Sequence, residues 1–394
     1  MEQKIRYQYT YFVMPYAVSD YEKYILKLVK DKNISLKIFE KEKDLDIYTH
    51  FMPGTKEYFF PSFELEKENI NALEQMDDRL KASTLSKMSS IHFEYKIEQT
   101  MQGKMGEEAG LFFHMTKAEI ICFETGICFL LLKTHMDNSE SFADLLNFNY
   151  KFSDITTTEL KELEKINLQN STFENNLEIA KFIENLTGKE KASQRLYVCS
   201  YACVDAENWD NEETLKDSYT KQINVLPSTY NAEYGSTYND IMQNKNAKLG
   251  ITKSGMGLYA SSVDNYNYTK LPYYYENKYI YTLIIRLYQK EYMNSIIQNK
   301  ENIKTLKQRY HIFQNKIFRP EVTKDEIGTQ LYKEAENVFE LQPLLEQTKE
   351  MYELTCQEQT LEKEKKTNQI LMALLGVSVI LNIVNFIAII KFII

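Results

Sequence analysis

This 394-residue sequence lacks a surplus of basic residues. It has 47 lysines and arginines against 56 aspartates and glutamates, which gives a formal net charge of −9 at pH 7. Proteins that bind nucleic acids or anionic lipid surfaces usually carry the opposite balance of charge. We therefore expect no direct nucleic-acid binding by this chain, although a local basic patch is compatible with its composition.

Cysteine is scarce as well. The five cysteines, an odd number, show no regular spacing: Cys122, Cys128, Cys199, Cys203 and Cys356. Extracellular domains stabilised by disulfides usually carry an even number at regular intervals. The first residues of the chain also lack the apolar stretch of a signal peptide. These absences indicate a reducing compartment.

Recognisable catalytic and metal-binding motifs are missing too. The five histidines are scattered, and there is no His-Glu-x-x-His, Cys-x-x-Cys or Gly-x-Ser-x-Gly sequence. Cys199 and Cys203 lie in a strand-like segment, where two buried cysteines explain the spacing better than a redox pair. Gly250–Gly257 departs from the P-loop pattern because Lys253 precedes the second glycine, so we favour a hairpin turn. We predict that the protein is not an enzyme and needs no cofactor.

One long apolar run lies near the C-terminal end of the sequence. Residues Ile370–Ile390 contain no charge and no proline. A helix of that length, rising about 1.5 Å per residue, spans roughly 30 Å, the thickness of a bilayer's hydrocarbon core. Only helices and closed barrels satisfy their backbone in lipid. The run therefore predicts a single transmembrane helix over 370–390, with a buried core helix as the alternative.

The charges beside this run predict its orientation. Lys363, Lys365 and Lys366 precede it, and only Lys391 follows it. The side of a span that carries more lysine and arginine usually stays in the cytoplasm. We therefore expect a tail-anchored, single-pass protein of the cell's inner (plasma) membrane, with its N-terminal region in the cytoplasm and the lipid bilayer as a partner.

The residues before the apolar run predict three more regions. In chain order we expect an α/β cytoplasmic domain over 1–190, a second β-rich cytoplasmic segment over 191–277 and a helical stalk over 278–369. The polar, weakly patterned segment 205–247 is typical of an insertion or of long connections. The predicted fold class is an α+β cytoplasmic region followed by a long antiparallel helical stalk and one C-terminal transmembrane helix.

Short patterns predict the local elements of the first region. Tyr7–Met14 is expected to be a strand, and Ile91 to Ile97 alternates apolar and polar residues as a half-buried strand does. Glu119–Phe123 and Ile127–Lys133 flank Glu-Thr-Gly and predict a hairpin. Further predictions are a helix capped by Ser19, short strands over Leu36–Phe39 and Leu45–Tyr48, and a turn at Pro53-Gly54.

The stalk prediction depends on helical periodicity. Apolar residues recur at three- and four-residue steps from Ile285 to Ile317, which predicts a helix of about 40 residues with one apolar seam, broken only by Asn299. A capping box at Thr323–Glu326 starts the next helix, and Pro343 is expected to kink or interrupt it. From Leu344 onward no helix breaker precedes the apolar run, so we expect one helix to continue into the membrane.

The apolar run itself carries a candidate site. Ser378, Asn382 and Asn385 fall at i, i+4 and i+7, on one face of a helix, and Gly376 permits a close approach nearby. Polar side chains at bilayer depth usually face a partner or a water path. A homo-oligomer with this face lining a pore, an oligomer joined by Asn–Asn hydrogen bonds without conduction, and a monomeric anchor all fit the sequence.

A second candidate site is a cluster of tyrosines before the stalk. Tyrosine rings stack on nucleobases, and their hydroxyls hydrogen-bond a ribose or a phosphate. Such a site would receive a nucleotide or protein activator, whereas packing between the α/β region and the stalk is the structural alternative. The candidate residues are Tyr266, Tyr268, Tyr273, Tyr274 and Tyr275.

Two segments carry a family resemblance. Phe123–Leu132 and Tyr281–Lys290 look like the strand and stalk segments of CorA-like membrane proteins, in which an α/β cytoplasmic domain precedes long helices and a hydrophobic end. The chain departs from that family by having one span instead of two and no Gly-Met-Asn motif after the first span. Gly255-Met256-Gly257 lies far from the span and is no substitute. The chain is therefore more similar to divergent CorA-like membrane effectors of bacterial anti-phage systems than to magnesium transporters.

The resemblance implies a homo-oligomeric membrane effector or channel-like protein. Its cytoplasmic domain would sense a ligand or partner, and its span would gate or disrupt the membrane. The alternative is a membrane-tethered scaffold or sensor whose span only localises a binding module.

Overall fold

A mixed sheet of 11 strands organises most of the chain in the computed structural model. The strands are β1 (Ile5–Ala17), β2 (Ile34–Lys37), β3 (Ser90–Tyr95), β4 (Met101–Met105), β5 (Leu111–Phe123), β6 (Ile127–Met136), β7 (Asn167–Gln169), β8 (Leu177–Glu178), β9 (Tyr197–Val204), β10 (Ala247–Ile251) and β11 (Gly255–Ser261). The structure describes residues 4–95, 101–105, 111–136, 141–154, 167–169, 177–188, 195–205, 209, 212–230, 240–242, 244–298 and 303–393.

Helices cover the sheet and form the C-terminal part of the chain. They are α1 (Tyr21–Lys30), α2 (Leu45–His50), α3 (Pro53–Phe59), α4 (Lys67–Gln75), α5 (Asp78–Leu85), α6 (Phe142–Ser153), α7 (Ile179–Thr187), α8 (Glu212–Asn224), α9 (Tyr266–Thr269), α10 (Leu271–Tyr274), α11 (Ile280–Gln298), α12 (Ile303–Ile312), α13 (Glu326–Val338) and α14 (Leu341–Ile393). A 3₁₀ turn covers Pro61–Glu64, and π-helical turns cover Tyr275–Tyr279 and Phe313–Ile317.

The strand order is β10-β11-β9-β1-β6-β5-β4-β7-β8, with β2 pairing with β3 and β3 with β5. Among the described strands every pair is antiparallel except β9 with β11. The boundary predicted at residue 190 therefore does not separate two sheets. Strands that precede and follow it in the sequence belong to one sheet, because β9 pairs with β1.

The predicted β5–β6 hairpin is confirmed. Gly126 in its turn has a φ of 81°, a conformation that glycine adopts without strain. A Cβ at this position would also lie 2.9 Å from the Val18 carbonyl oxygen. The Glu-Thr-Gly sequence therefore supplies both the backbone freedom and the space that the turn needs.

The central strands β1, β6 and β9 are largely buried on both faces. One face packs α1, α5, α6, α7 and α8 around a continuous apolar core that includes Phe12, Leu130 and Val198. The other face is covered by the segment from Tyr275 to Tyr288, whose last ring stacks on a strand residue of the hairpin. The strand predicted from Ile91 to Ile97 is present as far as Tyr95, and Ile97 lies outside the described residues. Its apolar side chains face the first core, but its other face is covered as well.

Several short elements differ from their predictions. Leu45–Tyr48 belongs to helix α2, since a run of four residues is too short for its periodicity to distinguish a strand from a helix. Pro53 begins helix α3, where its missing N–H has no helical partner to lose. The 205–247 segment, predicted to be an insertion or long connections, contains helix α8, and its residues 231–239 lie outside the described residues.

Two helix caps also differ. Asp20 caps α1, since its carboxylate accepts the N–H of Lys23 at 3.1 Å, whereas Ser19 lies one residue too early. Asp325 caps α13 by accepting the N–H of Gly328 at 2.8 Å. Thr323, the predicted cap, instead accepts the N–H of Asp325 at 3.1 Å.

The chain divides into two compact units. The first comprises Met1–Glu291 and Arg319–Leu341, and the second comprises Tyr292–Phe318 and Gln342–Ile394.

Within the second unit the chain reverses direction between α11 and α12. The rings of Tyr292 and Phe313 stack with centroids 6.0 Å apart, and the Tyr292 hydroxyl donates to the Arg309 carbonyl. One straight helix would separate residues 21 positions apart by about 31 Å. The predicted 40-residue helix is thus two shorter helices, and Asn299, expected to interrupt its seam, lies outside the described residues.

Helix α14 is continuous over 53 residues, from Leu341 to Ile393. Pro343 lies in its first turn, where proline needs no N–H partner, so it neither kinks nor interrupts a helix. Tyr310 of α12 stacks on Tyr352 of α14 at a centroid distance of 4.2 Å. In the part of the chain that the structure describes, α14 is the one helix long and apolar enough to cross a membrane.

Candidate functional site

The sheet face beneath Tyr275–Tyr288 carries a buried cluster of charged side chains. Alternation along each strand places these residues on that face, opposite the apolar core. The cluster comprises Lys37 of β2, His92 of β3, Lys117 and Glu119 of β5 and Lys133 of β6, together with Glu276 and Tyr281 of the covering segment.

Glu119 lies at the centre of one half of this cluster, and its side chain is 1% exposed. Its Oε2 lies 3.0 Å from the Lys37 Nζ and 3.4 Å from the Lys117 Nζ. Its Oε1 lies 3.0 Å from the His92 Nδ1 and accepts a 2.8 Å hydrogen bond from the Tyr281 hydroxyl. Both carboxylate oxygens are therefore fully used, as a buried charge requires.

Glu276 is the centre of the other half. Its Oε2 lies 2.5 Å from the Lys133 Nζ, and its Oε1 lies 3.5 Å from the Lys117 Nζ. The Tyr11 hydroxyl donates to Oε1 at 2.5 Å. Lys117 thus bridges the two carboxylates, one from the sheet and one from the covering segment.

The electrostatics favour the ionised form of both acids. Burial alone would raise the pKa of Glu119, but the charges of Lys37 and Lys117 outweigh it and hold the pKa well below its usual range. The pKa of Glu276 is lowered in the same way, because Lys133 and Lys117 outweigh its burial. Both carboxylates therefore remain charged at neutral pH, and the cluster joins the covering segment to the sheet by ion pairs.

Further along the covering segment, Arg286 of α11 contacts α13. Its side chain is 2% exposed. The Nε donates to the Tyr332 carbonyl at 2.9 Å, an Nη reaches the Glu336 carboxylate at 2.5 Å, and the guanidinium lies 3.4 Å from the Tyr332 ring centroid. The other Nη donates to Gln289 at 2.9 Å. Arginine is the side chain that can make several of these contacts at once.

His50 holds α2 against the same two helices. Its Nε2 lies 3.2 Å from the Thr282 Oγ1 of α11, and its Nδ1 lies 3.4 Å from the Thr323 Oγ1 that precedes α13. Burial lowers the pKa of His50 to about 4, against a weaker opposing effect of Asp325. A neutral imidazole therefore occupies this joint at neutral pH.

The predicted membrane face lies on α14, and its side chains are exposed within the single chain. At 3.6 residues per turn, Ser378, Asn382 and Asn385 fall within about 60° of arc. Gly376 lies about 160° from Ser378, and a Cβ there would meet nothing within 4 Å. The three polar residues thus share a face, and Gly376 lies on the opposite side of the helix.

The five predicted ligand-binding tyrosines are divided by the structure. Tyr266 and Tyr273 lie at the surface, each with its ring about 6 Å from that of Tyr274. Tyr268 lies beside the Arg6 guanidinium, 5.6 Å from its ring centroid. Tyr275 is buried, and its hydroxyl donates to the Met256 carbonyl at 2.8 Å. Tyr266 and Tyr273 are therefore exposed neighbours of the half-buried Tyr274 in one aromatic group.

The other sequence candidates have structural places. Gly250–Gly257 spans the β10–β11 hairpin, as predicted. Cys199 and Cys203 are buried in β9, where burial raises the pKa of both thiols, that of Cys203 to about 12. Among the described residues, no group of three or more His, Cys, Asp or Glu side chains is placed to hold a metal ion.

Sequence reasoning missed the charged cluster. Glu276 lies 157 positions after Glu119, so no local spacing connects them. The available signal was the presence of Lys117, Glu119 and Lys133 in strands that are otherwise strongly apolar. Charges in a strand that is buried on both faces need partners, and those partners came from elsewhere in the chain.

The fold and the cluster define a protein with a mixed α/β sheet domain and one C-terminal apolar helix able to cross a bilayer. No family model, curated protein or solved structure matches the chain significantly. We therefore infer its function from its own residues.

Proposed function

We propose that the protein is a homo-oligomeric membrane effector, tail-anchored in the inner membrane with its sheet domain in the cytoplasm. The observation that carries the proposal is helix α14, which runs without a break from Leu341 to Ile393. Its first half is polar and its second half is apolar. A continuous helix transmits rotation and tilt along its axis, so a change at its cytoplasmic start can reach the membrane.

The polar face of the span supports an oligomer. Asn382 and Asn385 would expose amides to hydrocarbon if the helix crossed the membrane alone, and such exposure is costly. Copies of the chain arranged about an axis would turn these amides and Ser378 toward each other or toward water. In our proposal this face lines a path that opens when the sheet domain receives its signal.

Contacts within the first unit support a route for that signal. Glu276 and Tyr281 connect the charged cluster to the start of α11, and Arg286 then connects α11 to α13. Helix α13 is followed after two residues by α14, with Glu340 at a φ of 54° between them. In the proposal the two linking residues act as a hinge, because they can change conformation without breaking either helix. The proposed activity is thus gating rather than catalysis.

The polar face is tested by a double substitution, Asn382→Leu with Asn385→Leu, in protein reconstituted into liposomes. We expect release of an entrapped dye or ion to be abolished while membrane insertion is retained. The matched control is Ile380→Leu with Ile387→Leu, two changes about 160° to 180° from Ser378 on the helix, which should leave release intact. Unchanged release by the asparagine variant would refute a path along this face.

A tethered scaffold or sensor is the second candidate function, since the length and composition of α14 also suit a plain anchor. Replacing 370–394 with an unrelated single span distinguishes the two. A scaffold would keep its activity after the exchange, whereas the effector that we propose would lose it.

The resemblance to CorA-like effectors suggests anti-phage defence as the setting, which we include in the proposal. Expression of the chain in bacteria should then limit phage growth, and the double asparagine variant should not. If both proteins protect equally, the polar face of α14 is not required for defence.

A further inference from the structure

The Glu276 carboxylate is held by three donor groups that belong to strands of the sheet. These are the Lys133 ammonium on β6, the Lys117 ammonium on β5 and the Tyr11 hydroxyl on β1. They converge on a single carboxylate that a different element provides. Two ammonium groups and a hydroxyl around one anion also suit the oxygens of a phosphate group.

The segment that carries Glu276 is locally irregular. Residues Tyr275–Tyr279 form a π-helical turn between α10 and α11. Such turns are rare, and they frequently occur at functional sites. The irregularity lies where the carboxylate reaches the sheet, which indicates that this turn is adapted to make the contact.

The cluster has more positive than negative groups in direct contact. Lys37, Lys117 and Lys133 share two carboxylates, and Glu94 acts on Lys37 and Lys117 only as a further charge nearby.

The sheet by itself places three lysines and one carboxylate, that of Glu119, in this cluster, and so offers cationic groups beyond what this carboxylate neutralises.

The site is also within reach of solvent. The side chains of Lys117, Lys133 and Glu276 are 18%, 19% and 18% exposed, in contrast to 1% for Glu119. The Glu276 carboxylate and the two lysines that it contacts are therefore open to a ligand, whereas the Glu119 carboxylate is not.

We infer that Lys117, Lys133 and Tyr11 form an anion-binding site that Glu276 occupies in the free protein, and that its ligand is a small soluble phosphate-bearing anion. The ligand's oxygens would replace the Glu276 carboxylate on the same three donors. Glu276 would then leave the sheet together with the π-helical turn, which loosens the start of α11. This inference rests on the proposed function only in one respect: the bound anion would be the signal that the membrane effector receives. Binding itself needs no membrane activity.

The test is calorimetric titration of the full-length, detergent-solubilised protein with inorganic pyrophosphate, at constant ionic strength adjusted with KCl. Glu276→Gln removes the carboxylate charge that competes with the ligand. The affinity of this variant for pyrophosphate should therefore exceed that of the wild type by at least about tenfold, the equivalent of one charge-assisted hydrogen bond. Lys133→Met in the Glu276→Gln background should remove most of that gain. A Glu276→Gln variant that binds pyrophosphate no better than the wild type would overturn the inference.

The control is Asp240→Asn. Asp240 pairs with Lys248 at 2.7 Å with similar exposure, 19% and 23%, but its other carboxylate oxygen accepts the backbone N–H of Met242 at 3.2 Å rather than a second lysine. Asp240→Asn should gain no affinity for pyrophosphate. An equal gain in this variant would show that the loss of any negative charge raises the affinity, and it would refute the site.

Hydrogen exchange separates the two proposals. With pyrophosphate bound, the amides of Tyr275–Ile285 should exchange faster, and KCl alone should not have this effect. Unchanged exchange despite binding would refute displacement of Glu276. If Glu276→Gln binds pyrophosphate more tightly than the wild type but liposome release is unchanged, the result supports the anion-binding site and counts against the membrane effector.

Discussion

His50 should make the stability of the sheet domain depend on pH between about 4 and 6.5. Its ring is 5% exposed and connects α2 to Thr282 and Thr323. The Thr282 hydroxyl already donates to the Lys278 carbonyl at 2.8 Å, so it accepts from the His50 Nε2, and Nδ1 is left to accept from Thr323. The neutral ring satisfies both contacts. A second proton would bring an unpaired charge into the interior.

The magnitude follows from the shift in pKa. Burial, with a smaller effect of Lys278, lowers the pKa of His50 from 6.5 to about 4. Above pH 6.5 both the folded and the unfolded states have a neutral ring, so this residue has no pH effect. Between 6.5 and 4 the unfolded state binds the proton and the folded state does not, which costs about 1.4 kcal/mol per pH unit. The free energy of unfolding should therefore fall by about 3 kcal/mol across this window because of His50.

The assay is urea unfolding of the full-length protein in detergent, followed by the fluorescence of Trp209, the one tryptophan in the chain. That indole is buried in the sheet domain, stacks on Tyr259 and donates to the Lys245 carbonyl at 2.8 Å. His50→Gln keeps a neutral hydrogen-bonding side chain, so its unfolding free energy should lack the His50 contribution. The difference between the two proteins cancels the contributions of Glu119 and Glu276, which both retain.

Parallel pH curves for the wild type and His50→Gln would refute this reasoning. His311→Gln is the control, because His311 is exposed on α12 and its replacement should leave the curve unchanged.

Three further predictions concern the same domain. Glu119→Gln should lower the free energy of unfolding by about 3–5 kcal/mol, since it removes the carboxylate that contacts Lys37 and leaves Lys117 with Glu276 alone. Arg286→Lys should cost about 2–3 kcal/mol in the same urea assay, because lysine cannot contact Glu336, a carbonyl and an aromatic face together. Gly257→Ala should cost about 1–3 kcal/mol, as its Cβ would lie 2.9 Å from the Ile223 side chain.

Each of these has a matched control at a less constrained site. Glu340→Gln breaks an ion pair with Lys253 in which both side chains are about two-thirds exposed, so its effect should be small. Arg195→Lys changes an arginine that is 49% exposed. In Gly54→Ala the three heavy atoms nearest to the added Cβ would all belong to the Arg319 guanidinium, the closest at 3.4 Å. If a control costs as much as its partner variant, the burial argument for that partner fails.

Local patterns were sufficient for some of the fold. The strand over Tyr7–Met14, the hairpin around Gly126 and the strand pair in Gly250–Gly257 followed from alternation and turn residues, because those features act between near neighbours in sequence. They were insufficient at Leu45–Tyr48, where four residues suit either a strand or a helix. The reversal between α11 and α12 was missed because the apolar seam has the same period on both sides of it.

By itself the sequence indicated the apolar helix over 370–390, since 21 consecutive residues without charge or proline are long and apolar enough for a helix that could cross a bilayer. It also determined that Ser378, Asn382 and Asn385 share a face, because helical spacing is fixed. Only the tertiary structure decided that Glu276 meets Lys117 and Lys133. Ion pairs between distant residues depend on how a sheet and a helix are brought together, and no periodicity within either segment encodes that meeting.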